Sequence, residues 1–186
     1  MMDNKALLII GSPNRQGVTA LMSAYFKECL IQKGWECRSV HLYDMRIEPC
    51  RGCMMCRKTG VCTIRDDADL LRESLLASGM VMLAAPTYFA NVPGPVKTMF
   101  DRLSGAVLDG IKPRLGRQHK YALLTACTTP APLDWVAGQS SGAIRAMKAF
   151  FGMAGMSYCG KVVYAGAGGG KPLTEKLKSK IRRLAV

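Results

Sequence analysis

Short apolar runs alternate along this chain with segments of helical period. Lys5 to Ile10 is rich in leucine and isoleucine and stops at Gly11-Ser12-Pro13, the pattern of a buried strand feeding a loop. Thr19 to Lys33 places Leu21, Met22, Tyr25, Phe26, Cys29 and Leu30 at helical spacing, and Gly34 ends the pattern. Trp35 to Leu42 alternates loosely around Cys37, Val40 and Leu42 and reads as a second strand. Met45 to Arg65 has neither period and reads as a structured insert. A helix follows through Leu70, Leu71, Leu75 and Leu76, with Asp66 or Asp67 suited to cap it. Met80 to Ala85, apolar throughout, is a third strand that ends at Pro86. Val92 to Leu103 reads as a helix entered through Pro93 and Pro95, and Ser104 to His119 as a connection. Lys120 to Ala126 is the fourth strand, Ala137 to Phe151 a helix, Ser157 to Ala165 the fifth strand and Pro172 to Leu184 the closing helix.

Strand and helix therefore alternate five times, which predicts an α/β fold with a parallel sheet between two helical layers. Five strands suit the flavodoxin-like three-layer sandwich, with strand order 2-1-3-4-5 and a ligand site outside the carboxyl ends of the strands. Three loops are then expected to carry function: Gly11 to Thr19, Pro86 to Val92, and Thr125 to Trp135. One domain over residues 1–186, with a cysteine-rich insert at 45–65, is the expected organisation.

Composition narrows the setting. No stretch reaches the roughly 18 apolar residues of a membrane span, and the start of the chain lacks the basic region and cleavage site of a signal peptide. A cytoplasmic protein is expected. Lys and Arg outnumber Asp and Glu by 26 to 13, a surplus that favours anionic partners such as nucleotides and phosphorylated cofactors. Its densest part, Lys171, Lys176, Lys178, Lys180, Arg182 and Arg183, reads as the solvated face of the last helix. His41 and His119 form no nucleophile–base constellation. Asp101-Arg102 reads as a structural ion pair or an interface element.

The first loop looks built for a phosphate. Free amides at a helix start, the helix dipole and the side chains of Ser12, Asn14 and Thr19 can hold a dianion, with Gly17 letting the backbone approach. The loop is neither a P-loop nor a GxGxxG fingerprint. GSPNRQGVT at 11–19, PCRGCMMCRKTGVCTIRDD at 49–67 and APTYFANVPGPVKTMFDR at 85–102 resemble three consecutive signatures of the NADPH-dependent FMN reductase family. The cysteine segment narrows the resemblance toward its iron-sulfur flavoprotein branch and the related reductases without a cluster. The resemblance implies that Ser12, Asn14, Gly17, Val18 and Thr19 hold the FMN phosphate. It implies also that Pro86, Thr87, Tyr88, Phe89, Ala90 and Asn91 lie along the isoalloxazine, and that Ala126 to Pro132 closes over its other side.

Four of the eight cysteines, Cys50, Cys53, Cys56 and Cys62, fall within thirteen residues. Four thiolates in one loop match the ligand count of a [4Fe-4S] cluster or a tetrahedral zinc site, although zinc more usually pairs two CxxC units across a longer loop. The iron-sulfur flavoprotein branch has such a cluster; its cluster-free relatives keep several of these cysteines as packing or thiol groups. Cys29, Cys37, Cys127 and Cys159 read as small buried residues.

The function this points to is an FMN-dependent oxidoreductase. It would take electrons from NAD(P)H, or from a reduced carrier, and pass them to a small acceptor such as free flavin or a quinone. The cofactor carries the chemistry, so no general acid or base is nominated. A homodimer or homotetramer is expected from the resemblance. The alternatives are a flavodoxin-type electron carrier without a dedicated substrate, or in the same class an iron-sulfur flavoprotein, and a basic nucleic-acid-binding module with a zinc knuckle. The high positive charge disfavours the first, and the second lacks interleaved aromatic and basic residues.

Overall fold

The computed structural model describes residues 4–168 and 172–185; Lys171 lies outside the described residues. Strands β1 (Lys5–Ile10), β2 (Glu36–His41), β3 (Met80–Pro86), β4 (Lys120–Cys127) and β5 (Ser157–Ala165) form one parallel sheet in the order β2-β1-β3-β4-β5. This is the flavodoxin-like order expected, and all five carboxyl ends lie along one edge.

The helices are α1 (Val18–Ile31), α2 (Met55–Thr59), α3 (Ala68–Ala77), α4 (Gly94–Arg102), α5 (Ser104–Val107), α6 (Ala131–Ala137), α7 (Gln139–Met153) and α8 (Glu175–Arg182). Because side chains alternate along a strand, the central strands split their residues between two apolar layers. Leu7, Ile9, Val81, Leu83 and Leu123 meet Leu71, Leu75, Val96, Met99, Ile144, Met147 and Phe151 of α3, α4 and α7. Leu8, Met80, Met82, Ala84 and Leu124 meet Met22, Phe26 and Leu30 of α1 and Leu177 and Ile181 of α8. Phe100 stacks on Phe150 with ring centroids 4.6 Å apart, which fastens α4 to α7. Strand β2 forms one edge of the sheet and is only partly covered.

Three local features differ from the sequence expectation. The connection after α4 is partly ordered, with α5 followed by a two-residue antiparallel pairing of Leu108–Asp109 with Lys112–Pro113. Helix α6 occupies a stretch expected as loop, and Gly138, in the left-handed region, turns it directly into α7. Arg102 pairs with Asp66, while Asp101 takes Lys97 one helical turn away at 2.6 Å. Asp67 stands at the α3 cap position but turns its carboxylate to the Arg46 amide, 2.7 Å away; Asp66 accepts the Ala68 amide at 3.0 Å and so does the capping. Among the described residues no helix is long and apolar enough to cross a membrane.

Candidate functional site

Strands β1, β3 and β4 are neighbours, so the loops leaving their carboxyl ends sit side by side. The first loop closes on itself. The Asn14 carbonyl accepts the Gly17 amide at 3.2 Å and the Ser12 hydroxyl at 3.4 Å, while the Asn14 side-chain oxygen accepts the Gln16 amide at 2.9 Å. Ser12 and Thr19 are buried. Gly17 caps α1 without a side-chain hydrogen bond, and no acidic residue stands in the first turn. The first helical bond at this end is donated by Leu21 to the Gly17 carbonyl, so the amides of Val18, Thr19 and Ala20 have no helical acceptor. A helix end open in this way, beside two hydroxyls, suits the phosphate monoester of FMN. A Cβ on Gly11 would come within 2.3 Å of Val96 Cγ2, so Gly11 is what lets this loop rest against α4.

The second loop is a tight turn held by its own backbone. Tyr88 and Asn91 exchange two amide–carbonyl bonds of 2.9 Å, and the two residues between them, Phe89 and Ala90, have φ of 48° and 57°. Two consecutive positive φ values are the signature of a type I′ turn, normally built from Gly or Asn. Here both central positions carry side chains, which costs about 1–2 kcal/mol each. Strain of this kind concentrates at ligand sites. The turn is fixed on three sides: the Thr87 amide donates to the Ala126 carbonyl at 2.8 Å, the Thr87 and Thr125 hydroxyls lie 3.0 Å apart, and Asn91 Oδ1 accepts the Val92 amide at 2.8 Å. Phe89 projects fully into solvent and Tyr88 is nearly half exposed. The amides of Phe89 and Ala90 stay free of protein acceptors among the described residues, which leaves donors beside an aromatic wall. That combination fits a flat, polar-edged ring.

Gly142 is a residue that sequence reasoning missed. A Cβ there would fall 1.8 Å from the Ala90 carbonyl oxygen, so the glycine lets α7 press against the strained turn. The only hint in the sequence is a glycine inside an otherwise helical stretch.

The third loop is tied to the end of β5, where Gly166 donates to Thr129 at 2.8 Å and Ala167 to Cys127 at 2.9 Å. Helix α6 then buries Asp134, which accepts the amide and the hydroxyl of Ser140, each at 2.7 Å, and exposes Leu133, Trp135 and Val136. Burial first, and Asp134 second, push the Cys127 thiol above its ordinary range.

The insert holds Cys50 and Cys53 exposed and Cys56 and Cys62 partly buried. Among the described residues, no three His, Cys, Asp or Glu side chains are gathered as a metal site. Cys53 Sγ lies 3.8 Å from the Thr63 hydroxyl and Cys56 Sγ 3.9 Å from that of Ser104. The four thiols therefore share a loop without converging. A Cβ on Gly105 would meet the Cys56 carbonyl oxygen at 2.4 Å, so α5 packs directly under this loop. Three arginines staple the insert to the body of the fold. Arg72 donates to the Gly60 carbonyl at 3.0 Å, Arg114 to the Arg57 carbonyl at 3.4 Å, and Arg102 to Glu48 and Ile64 as well as to Asp66. Residues 45–65 themselves carry Arg46, Arg51, Arg57, Lys58 and Arg65 against the single carboxylate Glu48.

A family model described as NADPH-dependent FMN reductase matches residues 4–169. An iron-sulfur flavoprotein of Archaeoglobus fulgidus is 39% identical over 100 residues, which is 53% of this chain and 45% of that protein. An iron-sulfur flavoprotein of Clostridioides difficile is 26% identical over 183 residues, 96% of this chain and 75% of that one. The chain spans about half the length of the first curated relatives it matches. The crystal structure of an azoreductase from Bacillus anthracis superposes with a TM-score of 0.72 at 17% identity, covering 97% of this chain and 96% of that one. That likeness is one of fold.

Proposed function

Because the chain belongs to the NADPH-dependent FMN reductase family, we propose that it binds FMN across the first two loops and passes electrons from NAD(P)H to a small acceptor such as a flavin or a quinone. The observation that carries this reading is the pairing of an open, uncapped start of α1 with a strained aromatic turn at the end of β3. Ser12, Asn14, Gly17, Val18 and Thr19 would take the phosphate. Pro86, Thr87, Tyr88, Phe89, Ala90 and Asn91 would line the ring and offer the free amides of Phe89 and Ala90 to its polar edge. Bound there, FMN supplies the electron-transfer chemistry; the chain's own residues bind it, orient it and shape access to it. A homodimer or homotetramer fits the apolar side chains left exposed around the site, Phe89, Leu133, Trp135 and Val136.

A second reading concerns the insert. The names of the curated relatives and the cationic surroundings of the loop support a [4Fe-4S] cluster on Cys50, Cys53, Cys56 and Cys62, because a cluster held by four thiolates is an anion. Loading would require the four thiols to turn toward a common point.

The experiment is purification without oxygen followed by a visible spectrum, iron and sulfide assays, and NADPH oxidation with a quinone acceptor. One FMN per chain and turnover above the free-flavin background are expected; a colourless chain that takes up no added FMN would sink the flavin reading. About four irons per chain support the cluster, and iron-free protein from such a preparation removes it.

A further inference from the structure

A trough between α1 and the edge strand β2 gathers cationic and hydroxyl groups that the flavin reading leaves unused. Ser39 and His41 pair in register with Leu8 and Ile10, and both line the trough beneath α1. Above them α1 presents Ala20, Ser23, Ala24 and Lys27, spaced as one stripe along the helix. Small side chains at three of these four positions leave a cavity of about 310 Å³ where a leucine stripe would close the gap. Arg15 enters from the first loop. None of the lining side chains is a carboxylate. His41 Nδ1 is buried without a hydrogen-bond partner, a condition native structures normally relieve with a ligand or water. Asp44 pairs with Arg15 through Nη2 alone, which leaves Nε and Nη1 of that guanidinium available.

We propose that this trough binds a phosphate group, with Arg15, Lys27 and His41 on its oxygens and the hydroxyls of Ser23 and Ser39 completing the shell. The lining suits a tetrahedral oxyanion: two cations, one of them shared with Asp44, an imidazole with an unmet nitrogen and two hydroxyls offer donors from several directions, and phosphate has the acceptors to use them. Because Arg15 belongs to the loop that would hold the FMN phosphate, the ligand lies beside the flavin. Two sources share this chemistry, the 2′-phosphate of NADPH and free phosphate. Only the choice of source rests on the proposed function.

Calorimetry on the flavin-loaded chain tests the site with adenosine 2′,5′-bisphosphate, adenosine 5′-monophosphate and inorganic phosphate in turn. The bisphosphate is expected to bind, and Lys27→Ala and His41→Gln should each weaken it about tenfold while flavin content and melting temperature hold. Binding of the bisphosphate but not the monophosphate, with a lower KM for NADPH than for NADH that Lys27→Ala abolishes, assigns the 2′-phosphate. Comparable binding of inorganic phosphate assigns free phosphate, and both results support the site. No binding of any probe, or binding unchanged in both variants, overturns it. If the chain takes up no FMN, the flavin reading falls, and the same titration on the unloaded chain and its two variants still decides the trough.

Discussion

Arg102 and Asp66, 36 residues apart, form a two-pronged ion pair, with Nη1 to Oδ2 at 2.6 Å and Nη2 to Oδ1 at 2.9 Å. The Arg102 side chain is fully buried and that of Asp66 nearly so. The same guanidinium also holds the carbonyls of Glu48 and Ile64, so a single α4 side chain clasps both ends of the cysteine insert.

The first prediction follows from that clasp. Burial by itself would push the Asp66 carboxyl up, but the Arg102 guanidinium and the Glu48 and Ala68 amides outweigh it and hold the group below its ordinary value of 3.8. A depressed folded pKa adds stability above the unfolded value, and that stability is lost as pH falls below about 4 through the folded one. Asp66→Asn should flatten this acid limb in chemical denaturation from pH 7 to pH 3. Arg102→Met should cost about 3–5 kcal/mol at pH 7, because it strands a buried carboxylate.

Gly142→Ala tests the contact between α7 and the turn. The added methyl would meet the Ala90 carbonyl oxygen at 1.8 Å, and either the helix or the turn must move. Overpacking of this kind costs about 1–3 kcal/mol. The turn, strained already, is the element expected to yield. The variant should therefore fold with a lower Tm and lose most of its bound FMN, read from the ratio of flavin to protein absorbance.

The strained turn makes the opposite prediction for stability. Ala90→Gly removes a side chain from the left-handed region and should raise stability by about 1 kcal/mol, less the added entropy of the unfolded glycine. Flavin affinity should fall in the same variant, since a glycine holds the turn less firmly. A gain in Tm with unchanged flavin affinity would show the strain to be unconnected with the cofactor.

Much of the sheet was legible because its central strands are covered on both faces. Lys5–Ile10 has the bounds that its apolar run implied, the edge strand Ser157–Ala165 has the bounds expected for it, and Pro86 marks where β3 stops. Helix α6 was not legible. It is short, begins among prolines and turns Leu133, Trp135 and Val136 outward while burying Asp134, the reverse of the pattern that marks a helix. The first loop announced itself through residues that act on their own neighbours, as Asn14 does on Gln16 and Gly17. The clasp of Arg102 on Asp66 and the seat of Ala90 against Gly142 join residues 36 and 52 positions apart, and no local pattern encodes such pairs. Nor does the sequence show that Phe89 and Ala90 take positive φ, because neither is a residue type that invites it.

Thiol accessibility separates the two roles assigned to the cysteines. Cys50 and Cys53 are exposed, whereas Cys29 and Cys127 are buried. Iodoacetamide at neutral pH, followed by peptide mass spectrometry, should label Cys50 and Cys53 first and Cys127 last, since burial also keeps the Cys127 thiol protonated. Reconstitution with iron and sulfide should protect Cys50, Cys53, Cys56 and Cys62 together. Protection of one or two of them would argue against a four-thiolate site.

The exposed apolar residues around the proposed flavin loops lead to the last prediction. Phe89 is fully exposed, and Leu133, Trp135 and Val136 are 60%, 85% and 77% exposed, although α6 could have turned them inward in place of Asp134. Helix α6 leads straight into α7, and α7 carries the Gly142 that seats the Phe89–Ala90 turn, so these side chains cluster at one end of the molecule. A second copy of this chain is the occupant expected, since the two flavin sites would then share a dry wall. Each copy carries a net charge of +13, so mutual repulsion opposes the contact and salt should strengthen it by screening. Sedimentation of the flavin-loaded chain should therefore show a dimer or tetramer whose dissociation constant falls from 50 mM to 300 mM salt. Trp135→Glu should raise that constant about thirtyfold or more, the scale of losing an aromatic anchor worth about 2 kcal/mol. A chain that stays monomeric at both salt concentrations would leave these residues to a ligand or a different partner and remove the oligomer from the proposed function.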